Sequence, residues 1–148
     1  MQSFPIAPAG LRSARVILLI LIPVISLLCS SLIGSLAARF EVSAEGLRLR
    51  GDLYGRFIPA HQLRPEMARR VDFMVTPQLQ PERRTLGTGL PGYQAGWFRL
   101  RSGEKALLYL TDRSRAVYVP TNAGYSILVS PANPDELLSA IRSITRRQ

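Results

Sequence analysis

Cysteine, histidine, lysine and tryptophan each occur once in the 148 residues, as Cys29, His61, Lys105 and Trp97. One cysteine excludes a disulfide framework and a thiolate zinc site, and one histidine removes two-histidine metal sites and most acid–base schemes built on imidazole. No serine stands in a nucleophile-and-base pattern. Asp52, Asp72 and Asp112 fall at turns and strand faces, where Asp is ordinarily found, so no carboxylate site is read from them. The chain is expected to have no catalysis, no metal and no cofactor. Acidic groups are scarce as well: ten against nineteen basic ones, a net charge of +9, with arginine supplying all of the basic set but Lys105. An anion meeting this surface therefore meets mostly guanidinium forks.

Charge is missing altogether from residues 16–38, where 17 of 23 are Ala, Val, Ile, Leu or Cys. At about 1.5 Å per residue the stretch reaches roughly 35 Å, enough to cross a hydrocarbon core of about 30 Å. It reads as a transmembrane helix, with Arg12 and Arg15 before it, Arg39 after it and a bend at Pro23. A cleaved secretory signal is the competing reading, with Ser35-Leu36-Ala37 as a small-x-small site, but the uncharged run continues about ten residues past an ordinary signal core. A buried soluble helix is weaker still, because a run with no polar face leaves a small domain nothing to cover it with. Ser26, Ser30, Gly34 and Ala38 recur every fourth residue and so share one helix face, a seam through which two copies could associate. The arginines nearest the span favour an inside N-terminus, whereas a wider window adding Arg48, Arg50 and Arg56 reverses the count, which leaves the side of the membrane open.

The organisation expected is thus an N-terminal tail over 1–15, a span over 16–38 and one domain over 39–148. That domain holds 17 basic and 10 acidic residues, about +7. Period-2 alternation, clearest in Leu47-Arg48-Leu49-Arg50, marks half-buried strands. Further strands are expected around Phe40–Val42, 54–58, 70–75, 97–101, 106–111, 116–119 and 125–129, with a hairpin turning at Ser102-Gly103-Glu104. Seven or eight short strands suit an antiparallel sandwich or open barrel. The period then changes. Asn133 is a good N-cap, Pro134 suits the first helical position and Glu136 completes a capping box. The spacing predicts an amphipathic helix over 134–146, with Leu137, Leu138, Ile141 and Ile144 on its buried face.

These features resemble a known family. Gly96-Trp97-Phe98-Arg99-Leu100, Leu107-Leu108-Tyr109-Leu110-Thr111-Asp112, Val117-Tyr118-Val119-Pro120-Thr121 and Leu128-Val129-Ser130-Pro131 before a capped helix look like a bacterial pleckstrin-homology-like domain of the membrane-anchored type. The likeness covers about residues 39–145 and is most specific from Gly92 onward. It implies a mainly β fold, a seven-stranded antiparallel sandwich closed by one C-terminal helix. It implies binding rather than catalysis, and it transfers no ligand residue.

Gly87-Thr88-Gly89-Leu90-Pro91-Gly92 matches G-x-G-x-x-G, but a phosphate-binding loop must open a helix and a strand follows here. These glycines, with Gly96, are expected to form a mobile or sharply turned loop. Arginine spacing carries the one suggestion of a site. Arg48 with Arg50, and Arg99 with Arg101, project from one side of their strands, and Arg83, Arg84 and Lys105 follow nearby; together they are the candidate anion-binding or lipid-binding residues. The competing reading is a solvated outer strand face. Trp97 is expected in the core. The chain is read as a single-pass cell-membrane protein whose domain mediates protein interaction or assembly, with membrane lipid, a partner protein and a second copy as partners. The alternative is an anionic-headgroup sensor. Nucleic acid is not expected, because no aromatic-interleaved basic motif is present.

Overall fold

The computed structural model describes residues 11–37, 39–50 and 54–145, and in the first helix the side chains of residues 15–26, 28 and 29. Two compact units result, Met1–Ile33 and Gly34–Gln148. The first holds most of helix α1, Leu11–Ala37, which runs through Pro23 as one helix. Its large apolar side chains Val16 to Ile22 are all at least half exposed. Over the described side chains, no helix is long and apolar enough to cross a membrane. The unbroken described run in α1 covers only residues 15–26, and a crossing needs about 20 residues. The structure therefore does not itself show the expected transmembrane helix.

The second unit is built mainly of strands. β1 (Arg39–Ser43), β2 (Gly46–Arg50) and β3 (Arg56–Pro59) form a three-stranded antiparallel sheet. β4 (Arg69–Arg70), β5 (Pro81–Leu90), β6 (Tyr93–Leu100), β7 (Lys105–Leu110), β8 (Val117–Pro120) and β9 (Ser126–Val129) form a six-stranded sheet in the order β4-β8-β9-β7-β6-β5. Helix α2, Pro134–Thr145, follows. The described residues thus hold nine strands rather than seven, in two sheets that do not close into a barrel. One pair, β7 with β9, is parallel, because β8 takes the antiparallel place beside β9.

Alternation explains the main core. Leu47 and Leu49 are buried while Arg48 and Arg50 stay exposed. The inner side of the small sheet meets Tyr93, Ala95, Leu107, Tyr109, Ile127 and Val129 of the large one. Leu137, Leu138, Ile141 and Ile144 of α2 join that cluster, as their spacing predicts. Asn133 caps the helix through Oδ1, which accepts the Glu136 N–H at 3.3 Å. The other face of the large sheet, with Phe98, Leu100, Leu108, Leu110 and Leu128, is covered by Val71, Phe73 and Leu79.

Two local expectations fail for identifiable reasons. The strand expected over 70–75 ends at Arg70, because Asp72 turns the chain. Its carboxylate accepts the Met74 N–H at 2.8 Å and its carbonyl accepts the Thr76 N–H at 2.8 Å. The glycine-rich segment is no loop. Gly87 and Gly89 lie inside β5, and the chain reverses only at Pro91-Gly92, where Gly92 has φ +78°, a proline-glycine pair of the type II turn pattern. Gly87 sits opposite Gly96, and a Cβ on Gly96 would come within 2.4 Å of the Leu86 carbonyl oxygen. Glycine is needed there because the two strands approach too closely for any side chain.

Candidate functional site

The candidate cations do not converge as a single patch. On the small sheet, Arg48 lies over the Phe57 ring at 5.2 Å and Arg50 pairs with Glu41 at 3.3 Å. Neither pair of arginines spaced by two acts as a pair. Arg101 is in the turn beyond β6, where its backbone N–H bonds the Gln80 carbonyl. Arg84 pairs in register with Phe98 and so shares that residue's face of the large sheet.

Three of the candidates do come together. Arg83 on β5 lies opposite Arg99 on β6, and Arg99 lies opposite Lys105 on β7. Directly opposed residues point to one face, with Cα atoms about 4.5–5.5 Å apart, so these side chains form a row across three strands. All three are exposed, and none is in an ion pair among the described residues. Arg99 Nη1 donates to the Gly103 carbonyl at 2.8 Å, which steers the guanidinium toward the β6–β7 turn. Glu104 is the nearest carboxylate in sequence to Lys105, and it is engaged elsewhere, accepting from Tyr118 Oη at 3.1 and 3.2 Å. That phenol sits above its ordinary pKa, first through burial and then through the charge of Glu104.

Beside the row stands Trp97, which is half-buried rather than in the core. Lys105 Nζ lies 4.3 Å from its ring centroid and the Arg56 guanidinium carbon 4.9 Å, with Tyr125 edge-on at 5.0 Å. Arg56 is opposite Leu49, whose side chain faces the core, so it reaches the indole from the inner side of the small sheet. Sequence reasoning missed Arg56, because it belongs to no alternating pair; its register against Leu49 is the only signal, and that register depends on the fold.

Like charges directly opposite one another are unfavourable. In bulk water the cost is under about 1 kcal/mol per pair, but it rises steeply once water is excluded. The row therefore stands open to solvent at little cost and can be covered only by a surface that brings anionic oxygens. The Trp97 face holds Lys105 without neutralising it, while Arg56 sits against both Trp97 and Tyr125.

The remaining expected residues fall to ordinary roles. His61 is exposed in a short 3-10 turn. Asp112 accepts from Ser114 Oγ at 2.6 Å and from its N–H at 2.9 Å, and pairs with Arg115 at 3.4 Å. Its carboxyl lies below the usual range, chiefly through the Ser114 bonds and then the guanidinium. Asp52 lies outside the described residues. Ser26, Ser30 and Gly34 lie in α1, and Ala38 lies outside the described residues, so this series still rests on its spacing. Among the described residues, no three His, Cys, Asp or Glu side chains gather as a metal site.

Two sheets and a C-terminal helix thus carry a cationic row beside an aromatic pair. The match to the family described as bacterial PH domain spans residues 38–145, and the chain belongs to that family. No curated protein and no solved structure matches it.

Proposed function

We propose that the chain is a membrane-anchored binding module, without catalysis, whose PH domain recruits a partner protein through an acidic segment laid on Arg83, Arg99 and Lys105. The observation that carries this reading is the in-register row of three exposed cations with no carboxylate among them. The anchor is supported by the uncharged run over 16–38 and by the ring of exposed apolar side chains around α1. A helix apolar on every side needs an apolar solvent all round.

The location of the row favours a protein over the headgroups of the anchoring bilayer. Phe40, just after the uncharged run, packs its ring 6.3 Å from that of Tyr109, near the last residue of β7. The row contains Lys105, the first residue of β7, about 13 Å from Tyr109 by strand rise. The end of the domain where the chain enters is thus not the end that carries the row. Self-association along Ser26, Ser30, Gly34 and Ala38 would array several such rows on one membrane.

The test uses the full chain in nanodiscs of phosphatidylcholine and a fluorescent, glutamate-rich extended peptide. Binding that is weakened at least about tenfold by Arg83→Glu with Arg99→Glu and Lys105→Glu supports the proposal. Failure of the peptide to bind, with capture of added phosphatidylserine vesicles that the same variant abolishes, moves the assignment to the headgroup-sensor alternative.

A further inference from the structure

Two side-chain polar atoms among the described residues are buried without a hydrogen-bond partner, Ser126 Oγ and Gln94 Oε1. Ser126 is wholly enclosed within the sheet, so its hydroxyl has no access to a ligand. Gln94 differs. It is half-buried, and it lines a cleft of about 320 Å³, near the lower bound of about 300 Å³ for small-molecule sites. A buried carbonyl left unmet is costly, so its presence beside a cleft calls for an explanation.

The walls of the cleft are apolar with one cation among them. Leu90 and Pro91 come from the β5–β6 turn, and Leu110 stands in register opposite Gln94. Arg113 lines the cleft three residues beyond Leu110, with its guanidinium 5.7 Å from the Phe73 ring centroid. Arg113 is exposed and in no ion pair among the described residues. The adjoining carboxylate, Asp112, is taken up by Ser114 and Arg115. On its other side Gln94 pairs with Gly89, which has no side chain to offer the amide. A Cβ there would stand 3.4 Å from Arg84 Nη1, so a second guanidinium lies over the same spot. Gln94 and Phe98 are separated by an even number of strand positions and share one face of the sheet, whereas Arg99 projects from the other. Cleft and cationic row are therefore separate places.

We infer that this cleft binds an apolar residue bearing both a free carboxylate and an acylated amide N–H. The carboxylate meets Arg113, the N–H meets Gln94 Oε1, and the side chain lies among Leu90, Pro91 and Leu110. Each assignment follows from the chemistry of the wall. A guanidinium fork takes carboxylate oxygens two at a time. An amide oxygen can only accept, so the ligand must bring a donor close to its anion. Phosphate and sulfate esters bring oxygens alone and would leave that carbonyl unmet. A carboxylate and an amide N–H on one carbon occur at the C-terminal residue of a peptide and in a free N-acyl amino acid, and the cleft reads the chemistry that the two share. The site is additional to the proposed recruitment surface and does not depend on it.

The experiment uses the full chain in nanodiscs of phosphatidylcholine and the anisotropy of a short peptide with a neutral fluorophore, whose only charge is the carboxylate of its terminal leucine. Saturable binding is expected, weakened at least about tenfold by amidating the peptide's C-terminus and by Arg113→Gln. Gln94→Leu should weaken binding several-fold and yet raise the urea midpoint, because it removes an unmet carbonyl. Arg83→Glu with Arg99→Glu and Lys105→Glu should leave this binding unchanged, which separates the cleft from the recruitment surface. Displacement by N-acetyl-leucine at concentrations similar to those of the unlabelled peptide assigns the cleft to a free acid; displacement only at far higher concentrations assigns it to a peptide C-terminus. Absence of binding, equal binding of acid and amide, or binding lost in the triple variant overturns the inference. A lowered urea midpoint for Gln94→Leu also overturns it, by showing that the amide is satisfied within the fold.

Discussion

The two helices of this chain carry similar aliphatic side chains and reach opposite outcomes. In α2 the apolar residues recur at helical spacing, so Leu137, Leu138, Ile141 and Ile144 are buried while Ser139, Arg142 and Ser143 stay exposed. Arg142 even reaches the Ala68 carbonyl at 2.9 Å, tying the polar side down. In α1 no such division exists, and Val16 to Ile22 are exposed in succession around the whole helix. The protein supplies a surface for a stripe, but nothing in a domain of this size can wrap a cylinder. Composition is shared between the helices; arrangement decides whether the side chains are buried or exposed.

The sharpest way to break that comparison is to place the same charge in both. Ile141 is fully buried, so Ile141→Asp removes its packing and strands a carboxylate in the core, at a cost of about 4 kcal/mol or more. That is a large part of the stability of an ordinary domain, about 5–15 kcal/mol, and the urea midpoint should fall steeply. Ile20→Asp should leave the domain's urea midpoint unchanged while releasing the chain from membranes in carbonate extraction. A lowered urea midpoint for Ile20→Asp would mean that α1 is part of the domain's core after all.

A smaller effect is expected where β5 and β6 approach. Gly96 has φ +111°, and an added Cβ would overlap the Leu86 carbonyl. Gly96→Ala should cost about 2–4 kcal/mol through strain and overpacking, read as a lower urea midpoint with membrane retention intact. The same segment marks the limit of what the sequence discloses. The alternating strands β2 and β6, the apolar run of β7 and the helix α2 are legible because period, run length and caps report burial directly. β5 is not. Its Pro81, Gly87 and Gly89 read as loop, two register shifts interrupt its alternation, and the reason for Gly87 is its close approach to Gly96 across the hairpin, which composition does not report.

The candidate site was half legible for the same reason. Each of Arg83, Arg99 and Lys105 can be singled out by sequence, but spacing by two groups Arg99 with Arg101, whereas pairing groups it with Arg83 and Lys105. Position along one strand is written in the sequence; position across strands is fixed by register. Trp97 was placed in the core by its strand propensity, yet its side chain lies at the rim, where Arg56 and Lys105 flank it.

Next in size is the cap of α2. Asn133→Ala removes the acceptor for the Glu136 N–H and should cost about 1 kcal/mol. Among the described residues Glu136 returns no bond to Asn133, so the expected capping box is only half formed, and Glu136→Ala should shift the urea midpoint less than Asn133→Ala does. Equal losses would show that the box closes in solution. Neither change should alter membrane retention, which on the proposed anchor depends on α1 alone.

The smallest effect concerns a charge at the surface end of β7. The Asp112 carboxyl is held below its ordinary range by the Ser114 bonds and by Arg115. A lowered folded pKa means that the unfolded chain binds the proton more readily, so the stabilisation is complete above the unfolded value and is lost as pH falls through the folded one. Asp112→Asn keeps an acceptor oxygen for Ser114 and removes only the charge. The variant should be slightly less stable than the parent at pH 7, and the difference should shrink as pH falls below the ordinary carboxylate value of about 3.9, as read from paired urea midpoints. Tyr118 gives the opposite limb: its raised pKa leaves its contribution intact below about pH 10 and removes it as pH climbs further, so Tyr118→Phe should flatten the alkaline side alone. A gap between Asp112→Asn and the parent that does not shrink as pH falls below that value would assign the effect to the hydrogen bonds of the turn rather than to the charge.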